Sequence, residues 1–109
     1  MLGTIYMIEC LDEDVEDIYI GSTFNFKARE RDHKYNSKTP QCSKYDYPLY
    51  KKIREHGGWA NWRMSTLIEE EFESKAELVV QEGNYQLAYG ASLNGCIAGK
   101  KYLTVQEIC

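Results

Sequence analysis

The chain has 109 residues, 43% of them hydrophobic and 28% charged, with a formal net charge of −4. That length suits one domain with a core of its own, and the composition excludes a disordered chain. No apolar run reaches the roughly twenty residues of a membrane-spanning helix, and Met1-Leu2-Gly3-Thr4 carries no basic, apolar leader, so an intracellular protein is expected.

Residues 3–10 and 17–22 alternate, are rich in Ile, Tyr and Thr, and read as two strands. The acidic stretch "LDEDVE" between them reads as a hairpin loop. An antiparallel pairing with Tyr6 opposite Tyr19 sets Ile5 against Ile20 and Met7 against Ile18. The hairpin then has one apolar core face and one face carrying both phenols. Gly21, opposite Thr4, leaves bare backbone beside those phenols, where another group can come close.

Asn25 is the expected N-cap of a helix over "FKARERDHKYNSK". Arg29 and His33, four apart, share one of its faces, with Phe26 beside them. Residues 38–45 are polar and read as a loop. "DYPLYKKIREHGG" predicts a second helix, capped by Asp46, with Pro48 in its first turn and Gly57 as its stop. His56 then stands at its C-terminus, where the helix dipole favours it. "NWRMSTLI" alternates Trp62, Met64, Thr66 and Ile68 against Arg63, Ser65 and Leu67, a third strand. Ser74 to Glu77 form a capping box that starts a helix running to about Tyr89, before Gly90. The order β-β-α-α-β-α predicts an α+β fold, a three-stranded antiparallel sheet flanked by helices. Residues 96–109 are left as a C-terminal tail or short element packed on a domain of residues 1–95.

Cys10, Cys42, Cys96 and Cys109 form neither a CxxC pair nor zinc-ligand spacing and read as reduced thiols. Charge is unevenly spread. Residues 27–63 hold ten basic against four acidic side chains, a local net charge of +6, between acidic ends. Such a middle segment is either a polyanion-binding patch or a solvated helical surface.

On the last predicted helix, Leu78, Tyr85 and Tyr89 form a stripe with Val79 at its edge, and Glu82 interrupts it. A carboxylate among apolar neighbours is costly unless it is paired or bound to a metal. It is therefore either a rim carboxylate paired with an arginine or a metal ligand. Glu69, Glu70, Glu71 and Glu73 read as solvated surface.

Taken in order, Gly3-Thr4-Ile5-Tyr6, the intact Tyr19-Ile20-Gly21, Arg29 eight residues past that glycine, His33 four further on, Leu78 to Glu82, and Leu93-Asn94 resemble the GIY-YIG nuclease domain. The first motif departs from the family pattern in having its glycine at Gly3, not at position 4, and twelve residues separate the motif tyrosines. The resemblance spans Gly3 to about Asn94. It implies a DNA endonuclease that hydrolyses phosphodiester bonds through one divalent ion, Mg²⁺ or Mn²⁺, held by Glu82. The catalytic set it implies is Tyr6, Tyr19, Arg29, His33, Glu82 and Asn94. Arg29 would clamp the non-bridging phosphate oxygens. Tyr6, helped by His33, would activate water, its phenol lowered in pKa by Arg29 and the metal. Tyr19 would orient water or phosphate, and Asn94 would support the local geometry. Gly21, Lys27 and Lys34 are the expected substrate contacts, and Tyr35, Lys44, Tyr45, Tyr47, Lys51 and Lys52 a candidate DNA-facing or packed surface. DNA is the expected partner, with a homodimer on DNA or a separate targeting chain supplying specificity. The alternative is a catalytically silent nucleic-acid-binding or scaffold module on the same fold.

Overall fold

Both faces of the hairpin are apolar enough to be covered, and helices cover both. The computed structural model describes residues 1–94, so the tail at 96–109, with Cys96 and Cys109, lies outside the described residues. The elements are β1 (Leu2–Cys10), β2 (Ile18–Thr23), α1 (Phe26–Lys38), α2 (Pro48–Glu55), a single 3₁₀ turn (Trp59–Asn61), β3 (Trp62–Glu71) and α3 (Lys75–Tyr89). The sheet is antiparallel throughout, ordered β2-β1-β3, which puts β2 at one edge. The fold is the expected α+β arrangement.

The register of the hairpin differs from the expected one by two residues. Tyr6 lies opposite Gly21, Met7 opposite Ile20 and Ile8 opposite Tyr19. The physical reason is charge. The expected register sets Glu9 against Glu16, two carboxylates directly opposed. Instead the loop folds on itself, with the Asp14 amide donating to Asp12 Oδ1 at 3.0 Å and the Val15 amide to the Asp12 carbonyl at 3.1 Å. Glu9 then pairs with Ile18 on one side and Arg63 on the other, and Arg63 Nη2 sits 3.3 Å from its carboxylate. A shift of two preserves the faces, so both phenols still point the same way.

Ile5 and Ile20 pack with Phe72 and with Leu78 of α3. The opposite face, expected to be open beside the phenols, is a second core: Tyr6, Ile8 and Cys10 pack against Leu49, Tyr50 and Ile53 of α2 and against Trp62 and Met64. Tyr6 has no solvent exposure. Strict alternation along β3 also fails. Tyr6 pairs with Thr66 but Ile5 pairs with Ile68, so Leu67 is an extra residue. That bulge turns Ile68 to the α3 face, away from Trp62 and Met64.

Helix ends follow local chemistry. Asn25 caps α1 by accepting from the Ala28 amide at 3.1 Å, and Ser74 caps α3 through the Glu77 amide at 3.2 Å. Gly90 ends α3 at φ 61°, in the left-handed region that a glycine adopts without strain. The cap of α2 is Tyr47, not Asp46, because Pro48 takes the first helical position and needs no amide partner. The α3 stripe ends early: Tyr89 is 48% exposed, and Leu78, Gly83 and Gln86 are the helix's buried residues. Glu69, Glu70, Glu71 and Glu73 are exposed, as expected. Among the described residues, Cys10 and Cys42 are free thiols, and no helix is long and apolar enough to cross a membrane.

Candidate active site

The place of β2 at the sheet edge decides where chemistry can gather. Tyr19 points to the α2 side of the sheet and α3 lies on the other side, yet the two meet beyond the last strand. A cavity of about 560 Å³ opens there, bordered by Tyr19, Arg29, His33, Tyr50, Glu82, Gln86 and Asn94. Tyr6 lies directly behind it, its ring centroid 6.3 Å from Tyr19 and 5.6 Å from His33.

Gly21 explains how two phenols fit so closely. A Cβ built on it falls on the Tyr6 hydroxyl and lies 3.0 Å from Tyr19 Cε1. The group expected to approach this bare backbone is therefore the protein's own Tyr6. Gly21→Ala is expected to destabilise the fold by about 1–3 kcal/mol, the cost of overpacking, and to displace the Tyr6 phenol. A lowered urea midpoint checks this.

His33 is held on every side. Its Nε2 is 2.7 Å from Tyr6 Oη, its Nδ1 is 2.8 Å from Tyr50 Oη, and its ring stacks on Trp59 at 6.3 Å. Burial, reinforced by the Arg29 guanidinium, lowers its pKa to about 4, so the imidazole is neutral at pH 7. The unfolded chain therefore binds a proton that the folded chain refuses between pH 6.5 and about 4. Stability is expected to fall as pH drops through that window, by on the order of 3 kcal/mol from this residue. Urea midpoints at pH 7 and pH 4 should converge in His33→Gln relative to the wild type.

The phenols are shifted the other way. Burial pushes Tyr19 up to about 12, with the Glu82 carboxylate adding to it, and raises Tyr6 further still. Arg29, beside Tyr6, pulls its pKa down but does not outweigh burial. The expectation that the Arg29 field helps make Tyr6 a base is thus corrected for the free protein: both phenols are neutral donors there.

Glu82 reaches the cavity with its oxygens already oriented. The Ser22 hydroxyl donates to Oε1, and Gln86 Nε2 donates to Oε2 at 2.9 Å. Burial raises its pKa, while Ser22 and Arg29 pull it back. The ion pairs among the described residues, Met1–Glu71, Lys52–Asp17 and Arg63–Glu9, leave it without a cation within 4 Å. A cavity-facing carboxylate, half-buried and held by neutral donors, fits a hard divalent ion that keeps several waters. Among the described residues no group of three or more His, Cys, Asp or Glu converges.

A family model, the GIY-YIG catalytic domain, matches residues 2–95. The chain belongs to the GIY-YIG family. Members of this family are nucleases that act on DNA and typically depend on a divalent metal. No curated protein and no solved structure gives a significant match.

The first GIY-YIG motif departs from its pattern at Thr4, and Gly3 has a packing reason of its own. A Cβ there would lie 2.7 Å from Phe72 Cδ2 and 3.1 Å from Leu78 Cδ1. Asn94, the last position of the resemblance, pairs like a strand with the outer edge of β2, next to Leu93, whose amide donates to the Ile18 carbonyl at 3.0 Å. Its Oδ1 accepts from the Ile20 amide at 2.9 Å and its Nδ2 donates to the Ile20 carbonyl at 2.8 Å. It therefore holds in place the strand that carries Tyr19 and Gly21. Lys27 and Lys34 are exposed and border no part of the cavity. The lysine that does is Lys44, together with Tyr47. Their loop is pinned by Arg54, which donates to the Ser37 and Tyr45 carbonyls at 3.1 and 2.8 Å and lies 3.6 Å above the Tyr45 ring.

Sequence reasoning missed Ser22, Asn36, Tyr50 and Gln86. For Tyr50 a signal existed: Leu49 and Ile53 mark the buried side of α2, and a phenol on a buried face needs a hydrogen-bond partner.

Proposed function

We propose that this chain is a metal-dependent DNA endonuclease that hydrolyses phosphodiester bonds at the β2 edge. One observation carries the reading. Tyr19, Arg29, His33 and Glu82, drawn from β2, α1 and α3, border a single cavity, with Tyr6 hydrogen-bonded behind it. A decayed module has no physical reason to keep there a half-buried carboxylate that has no ion pair among the described residues.

Glu82 would hold one Mg²⁺ or Mn²⁺, which when bound acts as a Lewis acid on the phosphate and the departing 3′ oxygen. Arg29 turns its planar fork to the non-bridging oxygens, where charge grows in the transition state. In the free protein Arg29 lies beside the Tyr6 phenol. Turning it to phosphate uncovers Tyr6 and neutralises one cause of the low His33 pKa. A water proton then passes to the Tyr6 oxygen as the Tyr6 proton passes to His33 Nε2. The hydroxide attacks phosphorus, the P–O3′ bond breaks, and the 3′ oxygen takes a proton from solvent. Tyr19, held protonated by its high pKa, donates a hydrogen bond to phosphate or water. Lys44 and Tyr47 stand where the flanking backbone would run.

The test is plasmid nicking with Mg²⁺ and with chelator, followed by duplex, flap, fork and single-stranded substrates with mapped ends. Nicking that needs the cation and disappears in Glu82→Ala and Arg29→Ala supports the reading. Equal nicking by all three proteins overturns it and leaves a silent DNA-binding module.

A further inference from the structure

We propose that Tyr50, held by Asn36, is a positioning residue that fixes His33 as the Nδ1–H tautomer and thereby keeps Nε2 open to the Tyr6 proton. A neutral imidazole has one N–H and one acceptor nitrogen, yet both ring nitrogens of His33 face phenols, at 2.7 Å and 2.8 Å. One phenol must donate to the ring and the other must accept from it.

The surroundings decide which. Tyr6 has no exposure, Arg29 beside it is only a donor, and the neighbouring Tyr19 hydroxyl can donate to the Tyr6 oxygen, so we assign the Tyr6 hydrogen to the ring. On the other side, Asn36 Nδ2 donates to Tyr50 Oη at 3.1 Å. The orientation of that amide is set in turn by the Cys42 thiol, which donates to Asn36 Oδ1 at 3.1 Å. Tyr50 Oη is thus an acceptor, and it borders the cavity, toward which its own hydrogen can turn. Nδ1–H to Tyr50, with the Tyr6 hydrogen on Nε2, satisfies every member of the chain. A partner on one ring nitrogen setting the role of the other is a common device for histidine. Neither Tyr50 nor Asn36 is among the residues that carry the resemblance to the family.

The role in catalysis rests on the nuclease reading, but the tautomer does not. Long-range ¹H–¹⁵N spectra of the full chain at pH 7, with His33 distinguished from His56 by a His33→Gln control, should show His33 protonated at Nδ1. In Tyr50→Phe, which keeps the ring and removes the acceptor, His33 should switch to the Nε2–H form. In Asn36→Ala the Nδ1–H form should persist only in part. If the protein cleaves DNA, kcat in Tyr50→Phe should fall about ten- to a hundred-fold, within the range of acid–base contributions, with KM unchanged. A wild-type His33 protonated at Nε2 overturns the proposal without any variant having to fold. So does a Tyr50→Phe spectrum that keeps Nδ1–H, or a Tyr50→Phe loss confined to KM. A protein that cleaves nothing but shows the expected tautomers refutes the nuclease reading and leaves the anchor standing.

Discussion

Arg29→Ala is expected to slow phosphodiester cleavage about a hundred- to a thousand-fold, the loss seen when a preorganised donor to developing negative charge is removed. Arg29 sits on the cavity wall one helical turn from His33, and no ion pair among the described residues occupies its guanidinium. It is free to turn to a phosphate. Arg29→Lys keeps the charge but not the two-pronged geometry and should recover only part of the rate. A second readout follows from electrostatics. Arg29 is one of the causes of the low His33 pKa, so in Arg29→Ala the His33 titration should move up, while burial keeps it below 6.5. Single-turnover cleavage and an NMR titration check both. A wild-type cleavage rate in Arg29→Ala removes it from the chemistry.

Glu82→Gln is expected to be more severe, at least about a thousand-fold. A Lewis-acid cation supplies several kcal/mol of transition-state stabilisation, and each 1.36 kcal/mol is a factor of about ten. The variant keeps the length of the side chain and an oxygen for the Ser22 hydroxyl, and loses the charge together with the acceptor for Gln86 Nε2. DNA binding in chelator should be retained or tightened, because a negative charge leaves a cavity meant for phosphate. Loss of binding together with cleavage would assign Glu82 a structural role instead. Burial raises the Glu82 pKa above its unfolded value, so ionising it costs stability as pH rises through the raised value. A cation bound to the ionised carboxylate offsets that cost. Mg²⁺ should therefore raise the thermal midpoint of the wild type at neutral pH, less so in mild acid where protons compete for the carboxylate. The same addition should leave Glu82→Gln unchanged.

Much of this was legible one segment at a time. The caps Asn25 and Ser74 and the stop Gly90 depend on a few neighbouring residues, and they stand where reading placed them. Arg29 and His33 share a face because they are four apart on a helix. Apolar matching alone misplaces the register because it leaves out the carboxylates of Glu9 and Glu16, and the α2 cap falls at Tyr47 because Pro48 takes the first helical position. Lys27 and Lys34 lie on α1 near Arg29 and His33, yet they point to solvent, while Lys44 is carried to the cavity by a loop that Arg54 folds back.

The amino-acid order by itself determined the element sequence, the common face of the two tyrosines, and a short set of polar residues spaced as in GIY-YIG nucleases. Those are properties of periodicity and motif, which are local. Only the tertiary structure decided that α2 buries the phenol face, making Tyr6 a hydrogen-bonded member of a chain through His33 to Tyr50. It alone decided that α3, packed on the other face, delivers Glu82 around the edge of the sheet to the same cavity. The reason is that desolvation and convergence depend on which surfaces cover one another, and a linear pattern does not specify that.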